Sequence, residues 1–316
     1  MSSLTRIETA RWLCEHDRFA ILTHRRPDGD TIGSSAALCL GLRQLGKTAH
    51  VLENPEITAK HRHLHEGLTK AAPEDGDVLV SVDVATADLL PERYAYLKDQ
   101  IALRIDHHGT AESFTELELV DPGAGACGEV LYDVLMLMLV RLDKPMAEAL
   151  YTAVSTDTGG FRYPNTTAHT FRTAAACADA GGDLQRINRE LFDTNSFRKM
   201  KMQSWIIENT RFYSGGRTAV CAIPKSVELQ LGVNEDDMEN ISGLARSIEG
   251  VRMAATLRET NDGRVKVSVR AIPGYDAAAV CRKFGGGGHT GAAGACLDLP
   301  LEAAAELVTA AMPQLD

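Results

Sequence analysis

The stretch that most narrows what this chain can fold into is His24-Arg25-Arg26-Pro27-Asp28-Gly29-Asp30-Thr31-Ile32-Gly33-Ser34-Ser35. An apolar run, Phe19-Ala20-Ile21-Leu22-Thr23, precedes it and reads as a buried strand. Ala36-Ala37-Leu38-Cys39-Leu40-Gly41-Leu42 follows and reads as the start of a packed helix. Pro27 and Gly29 suit a tight, irregular turn between them. One histidine and two aspartates therefore crowd a strand-to-helix junction, the edge of a parallel α/β sheet where ligands bind. Taken alone, the stretch is also explained by an Asp-Gly turn with Asp30 or Thr31 capping the helix.

The same arrangement recurs downstream. Asp77 to Asp83 reads as a strand ending on an acid, and Ile101 to Ile105 as another ending on Asp106-His107-His108-Gly109. A first helix is expected from Thr5 to His16, with Trp12 and Leu13 in the core, and a further strand from Thr48 to Leu52. Helices follow from Cys127 to Leu142 and from Pro145 to Thr156, the second running into Asp157-Thr158-Gly159-Gly160. Strands alternating with helices predict a parallel sheet with right-handed crossovers. We read 1–182 as an α/β domain with a parallel sheet and flanking helices, its last helix (Ala168 to Ala180) stopped by Gly181-Gly182. Residues 183–216 read as a helical linker, and 217–316 as a smaller mixed-sheet α/β domain. In that second domain the elements run strand (Thr218 to Ile223), helices, hairpin (Val251 to Thr260 and Arg264 to Ile272), short helix (Asp276 to Lys283), strand (Ala295 to Leu299) and helix (Pro300 to Met312). Asn261-Asp262-Gly263 makes the hairpin turn.

Composition excludes several roles. A net charge of -10 argues against broad binding to long duplex nucleic acid but leaves room for a small anion held by metals. Seven scattered cysteines show no zinc-ligand spacing, so we expect reduced thiols in a cytoplasmic protein. The opening residues lack the apolar segment of a secretory signal. The run Val134 to Val140 is too short to span a bilayer, so no membrane role is expected. It reads as a core helix or a subunit contact, which leaves a homodimer open. The patch His61-Arg62-His63-Leu64-His65 reads as a solvated helix rather than a ligand cluster.

The residues gathered at strand ends and loops are His24, Asp28, Asp30, Asp83, Asp106, His107, His108 and Asp157. So many acids cannot stay ionised together without cations. Imidazole and carboxylate donors suit Mn²⁺ better than zinc, which favours thiolate in structural sites. Two such ions about 3.5–4 Å apart can share a carboxylate and a hydroxide that attacks phosphorus in line.

These segments resemble the motifs of the DHH phosphoesterase family: His24-x-x-x-Asp28-x-Asp30, Val82-Asp83, Asp106-His107-His108 and Thr156-Asp157-Thr158-Gly159. Gly285-Gly286-Gly287-Gly288-His289 resembles the glycine-rich signature of the DHH-associated C-terminal domain. The resemblance implies that His24, Asp28, Asp30, Asp83, His107 and Asp157 hold two Mn²⁺ ions (Mg²⁺ and Co²⁺ being compatible), with Asp83 bridging. It implies that Asp106 orients the neighbouring histidine and that His108 faces the scissile phosphate. Eight basic residues against four acids between Arg246 and Lys283 make that stretch cationic. We expect Arg270, the amides of Gly286, Gly287 and Gly288, and His289 to hold a substrate phosphate.

Within the family, the two-domain size resembles the enzymes that degrade short oligoribonucleotides and dinucleotides such as pApA and remove the 3′ phosphate of pAp. A cyclic di-AMP phosphodiesterase is the alternative, and a non-catalytic nucleotide-binding regulator is an alternative of another class. The polarity of RNA degradation is left open.

Overall fold

Seven strands, paired in parallel throughout, form the first sheet of the computed structural model, which describes residues 2–109, 113–238 and 240–314. They are β1 (Ser2–Ser3), β2 (Arg18–Leu22), β3 (Thr48–Leu52), β4 (Thr69–Lys70), β5 (Val78–Val82), β6 (Ile101–Asp106) and β7 (Leu117–Val120). The order across the sheet is β1-β7-β6-β5-β2-β3-β4. Helices are α1 (Arg6–Glu15), α2 (Gly29–Gln44), α3 (Cys127–Leu137), α4 (Lys144–Asp157), α5 (Ala168–Asp179) and α6 (Leu184–Asn188).

Alternation along the strands sorts the core into two layers. Phe19, Ile21, Val51, Val80, Val82, Leu103 and Ile105 pack with residues of α1 to α5 on one face. Ala20, Leu22, Leu52 and Leu79 face the other way, onto Val84, Leu90, Tyr94 and Leu97. The strand order reverses between β2 and β5: from β2 the chain moves outward to β3, whereas from β5 it moves the opposite way to β6. In an open parallel sheet that reversal leaves a crevice at the strands' carboxyl ends. Residues 24–30 and Asp83 follow those two strands.

Small residues bring two helices close behind this crevice. A Cβ on Gly33 of α2 would lie 2.2 Å from the Ala149 carbonyl oxygen of α4, closer than any side chain tolerates. A Cβ on Gly29 would fall 2.5 Å from Thr156. Glycine at both positions is what lets the amino end of α2 rest against the carboxyl end of α4.

The chain divides into two units, through Thr194 and from Asn195. The segment read as a linker is split between them. After α6 and a single π-helical turn (Arg189–Asp193), α7 (Phe197–Asn209) starts the second unit and buries Met202 and Ile206 among Cys221, Ile223, Met238 and Ile241. Those two apolar residues, four apart, give α7 a core face, so it belongs to a domain rather than between domains.

The second unit carries β8 (Arg211–Tyr213), β9 (Thr218–Ile223), β10 (Met253–Glu259), β11 (Val265–Ala271), β12 (Gly287–Gly288) and β13 (Ala292–Leu297). Its helices are α8 (Lys225–Leu231), α9 (Ala277–Arg282) and α10 (Leu301–Ala311). The sheet runs β12-β13-β11-β10-β9-β8 and is mixed, only β9 and β10 being parallel. Val265, Val267 and Val269 alternate into its core beside Leu301, Ala304 and Val308.

Three expectations change. The apolar run ends its helix at Leu137, because Leu139 takes a left-handed conformation (φ 59°) that breaks the hydrogen-bond ladder. Val134, Leu135, Met138 and Val140 are buried, as a core helix requires, while Leu137 and Leu139 face solvent. The histidine patch is not a solvated helix: His61 and His65 are 3% and 4% exposed. His65 Nε2 lies 3.0 Å from Ser35 Oγ and 3.1 Å from the Ile32 carbonyl, a polar seat on α2 that takes in an imidazole. Burial pushes both histidines down to about 4, so both are neutral. Finally, the cationic stretch is partly neutralised within its own unit. Arg258 pairs with Glu228 and Glu235, Arg264 with Asp262, and Arg282 with Asp276.

Candidate metal centre

The acids and histidines singled out in the first unit converge at the crevice. Asp28 is the N-cap of α2, its Oδ1 accepting the Thr31 amide at 3.1 Å. The helix is capped, but by Asp28 rather than by Asp30 or Thr31, and the cap occupies one carboxylate oxygen only. Asp30, one turn into the buried side, is held by α3 instead. Its Oδ2 accepts the Cys127 amide at 2.7 Å, and its Oδ1 accepts the Gly128 amide at 3.0 Å and Ser34 Oγ at 2.8 Å. The amide groups that open α3 have no helical partners, and their dipole favours a carboxylate there.

Asp83 follows β5 and sits in a left-handed conformation (φ 58°), which is strained for an aspartate and aims its side chain into the crevice. Its Oδ2 accepts Thr31 Oγ1 at 2.6 Å, whereas its buried Oδ1 has no hydrogen-bond partner. Three histidines face it: His24 Nε2 at 3.9 Å from Oδ2, His107 Nε2 at 3.7 Å and His108 Nδ1 at 3.6 Å from Oδ1. His107 Nε2 also lies 3.5 Å from Asp30 and 3.7 Å from Asp157, the last residue of α4.

Backbone carbonyls fix the histidine rings. His24 Nδ1 lies 2.6 Å from the Arg25 carbonyl and His107 Nδ1 3.3 Å from that of Ala124. Each carbonyl accepts the Nδ1 proton and leaves the Nε2 lone pair directed at the acids, the arrangement a metal-ligating imidazole needs.

Ligand atoms fall into overlapping groups, each within 4.8 Å: His24-Asp28-Asp83, Asp30-His107-Asp157, and Asp83-His107-His108. Asp83 and His107 join them. Asp106 belongs to no group. It accepts the His107 amide at 2.8 Å and His108 Nδ1 at 2.7 Å, so the ring it orients is that of His108.

Electrostatics follow the geometry. Burial, opposed by His107 and reinforced by Asp157 and Asp28, pushes Asp30 up to about 7. Burial and the charges of Asp30 and Asp28 raise Asp83 well above the carboxylate range. Burial, opposed by His107 and reinforced by Asp28, also raises Asp157. Asp106 is the exception: burial works against its charge, but donation from His108 and two amides outweighs this and holds it low. The Asp106 hydrogen bond in turn raises His108.

These properties fit a divalent-cation centre. Crowded acids that resist ionisation, a buried carboxylate oxygen without a donor, and imidazole lone pairs aimed at the same space are what such ions compensate. Cys127 is adjacent, but its Sγ lies 3.4 Å from the Ile105 carbonyl and burial keeps the thiol protonated, so the donor set is nitrogen and oxygen only.

Sequence reasoning missed the residues that hold the centre in place: Thr31, Ser34, Asn165 (Nδ2 to Asp157 Oδ2, 3.2 Å) and Asn54 (Nδ2 to the His24 carbonyl, 2.9 Å). The first two carried a signal, standing three and four residues after Asp28 and Asp30 on one helix. In the second unit, Gly286 and Gly288 are fixed by packing, since a Cβ at either would strike β13 (2.2 Å from the Gly294 oxygen, 2.6 Å from that of Ala292). The Gly286 and His289 amides already donate to the Cys281 and Ala292 carbonyls. Arg270 lies on β11 with His289 following β12, and Gly287 and His289 are exposed.

Residues 18–154 match the model of the DHH family N-terminal domain, and residues 216–313 that of the DHHA1 domain. The chain belongs to the DHH family. It is 34% identical over 301 residues to the bifunctional oligoribonuclease and PAP phosphatase NrnA of Thermus thermophilus, covering 92% of this chain and 88% of that one. The Bacillus subtilis protein of the same name is 25% identical, covering 92% of each. Among solved structures, an exopolyphosphatase-related protein from Bacteroides fragilis superposes with a TM-score of 0.85 at 23% identity, covering 97% of this chain and 95% of the other. That likeness establishes the fold.

Proposed function

We propose that this DHH-family chain hydrolyses phosphoester bonds in short oligoribonucleotides and dinucleotides such as pApA, and removes the 3′ phosphate of pAp. The observation that carries the reading is the pair of donor groups joined through Asp83 and His107. The names of the relatives above support the substrate class.

His24, Asp28 and Asp83 would hold one divalent cation and Asp30, His107 and Asp157 a second, with Asp83 facing both. Mn²⁺ is the proposed ion because the donors are carboxylate and imidazole, Mg²⁺ and Co²⁺ being compatible. Bound there, two such ions neutralise phosphate charge and make water nucleophilic near neutral pH. The chain's own groups do the rest. The α3 amides keep Asp30 in place, the Arg25 and Ala124 carbonyls keep two imidazoles in the ligating tautomer, and Thr31 fixes one oxygen of Asp83. His108, whose protonated form Asp106 favours, would offer a proton at Nε2 to the phosphate or to the departing oxygen. In the second unit, Arg270 and His289, with the exposed Gly287 and Gly288 beside Gly286, form the proposed phosphate grip.

Among the described residues, no helix is long and apolar enough to cross a membrane. A panel of pApA, pAp, cyclic di-AMP, short RNA and long RNA, incubated with Mn²⁺ and resolved by chromatography, tests the reading. Turnover of pApA and pAp is expected. Binding of nucleotides without turnover would make the protein a regulator instead.

A further inference from the structure

The loop that follows Asp157 carries an aromatic residue with no place in the metal centre. Tyr163 is 51% exposed, although large aromatic side chains ordinarily bury most of their area. Its ring is pinned flat on one side. A Cβ on Gly159 would fall 2.4–2.6 Å from Cζ, Cε2 and Cε1 of the ring, and Gly159 takes a positive φ of 59° that suits glycine. Only a residue without a side chain lets the ring lie directly on the backbone. About half of the residue's surface nonetheless remains open to solvent.

The loop beneath it is braced. The Arg162 and Tyr163 amides both donate to the Thr158 carbonyl at 3.0 Å, and the Phe161 amide donates to Thr158 Oγ1 at 3.2 Å. Asn165 ties the loop to the centre, donating to the Gly125 carbonyl at 2.9 Å and to Asp157 Oδ2 at 3.2 Å. A rigid ring, half open to solvent and two residues from the side chain that braces Asp157, is built to receive something flat.

We propose that Tyr163 is the stacking platform for the nucleobase next to the scissile phosphate. This rests on the phosphoesterase reading above and deepens it, since it makes the substrate a nucleoside phosphate rather than an inorganic one. Stacking on an aromatic side chain is tolerant of base identity, so the platform selects for a base without selecting which base. It holds the ground state and the transition state alike, so its loss falls on KM.

The test is a coupling experiment. Wild type, Tyr163→Ala and Tyr163→Phe are assayed with Mn²⁺ on pApA and on two analogues, each lacking one of the two bases, with thermal midpoints measured alongside. Stacking of this kind predicts that Tyr163→Ala raises KM for pApA by roughly 5- to 100-fold with kcat little changed. Tyr163→Phe should match wild type. On one of the two analogues, wild type and Tyr163→Ala should become equal. Unchanged pApA kinetics in Tyr163→Ala, or an equal loss on pApA and both analogues, would overturn the proposal, the latter assigning Tyr163 to the fold of the loop. Absence of pApA turnover by the wild type refutes the phosphoesterase reading itself, whatever the variants do.

Discussion

Replacing Gly33 by alanine should damage catalysis more than stability. A Cβ there would lie 2.2 Å from the Ala149 oxygen, 2.9 Å from the Ala153 amide nitrogen and 3.0 Å from Ala153 Cβ. The obstacles are mostly backbone, so no rotamer change relieves them, and α2 and α4 must separate by roughly 1 Å to restore ordinary contact. Overpacking of this kind costs about 1–3 kcal/mol. For a domain of this size that is a fall in Tm of roughly 2–12 °C. The same displacement moves Asp28 and Asp30, at the start of α2, away from Asp157, at the end of α4. Misplacement by about 1 Å near reacting groups can cost on the order of a hundredfold in rate. Thermal unfolding and kcat on pApA, measured on the folded variant with saturating Mn²⁺, decide the matter. A variant with wild-type Tm and wild-type kcat would refute the close approach of these helices and its role in setting the donor distances.

Three further outcomes are expected. In chelated protein Asp30 takes its proton near pH 7 when folded and near 3.8 when unfolded, so its own contribution to stability is greatest below about pH 4 and is lost as pH rises towards and through 7. Between pH 5 and 7.5 the loss should be on the order of 2 kcal/mol, read as a falling Tm that Asp30→Asn flattens and added Mn²⁺ reverses. Asp106→Asn removes the negative charge that strengthens the hydrogen bond to His108 and raises it, so the alkaline limb of the kcat/KM profile should move to lower pH; an unmoved limb would exclude His108 as proton donor. Arg270→Ala and His289→Ala should each lower kcat/KM on pApA about tenfold to a hundredfold, the scale of one charged hydrogen bond, while bis(p-nitrophenyl) phosphate hydrolysis barely changes.

Much of the architecture was legible because the pattern was local. Apolar runs that each stop on an acid or histidine are both the signature of a parallel strand and the position of a site residue, so β2, β5 and β6 announced themselves with their ligands. The hairpin was equally plain, Asn261-Asp262-Gly263 lying just before the alternating valines of β11. What escaped was set by distant partners. Short strands such as β7 exist through pairing with β6, which no local pattern encodes. His65 looked like a surface residue because the polar seat that takes it in is on α2, some thirty residues earlier in the chain. Asp30 looked like a cap of α2 and is instead anchored by the first amides of α3. The charges within the basic stretch could be counted from the sequence, but not Glu228 and Glu235, which lie before it and pair with Arg258.

The central claim is that two divalent cations share Asp83, and a stoichiometric titration of the chelated protein with Mn²⁺, followed by both bound metal and pApA turnover, tests it most directly. The account predicts two ions bound per chain in the wild type, activity that appears as the second site fills, and poorer recovery with Zn²⁺. It predicts fewer than two ions, and less than about a hundredth of wild-type activity, in a folded Asp83→Ala variant, since the centre asks that ligand for several kcal/mol. Full activity in the chelated wild type, or two tightly bound ions and undiminished turnover in Asp83→Ala, would contradict it.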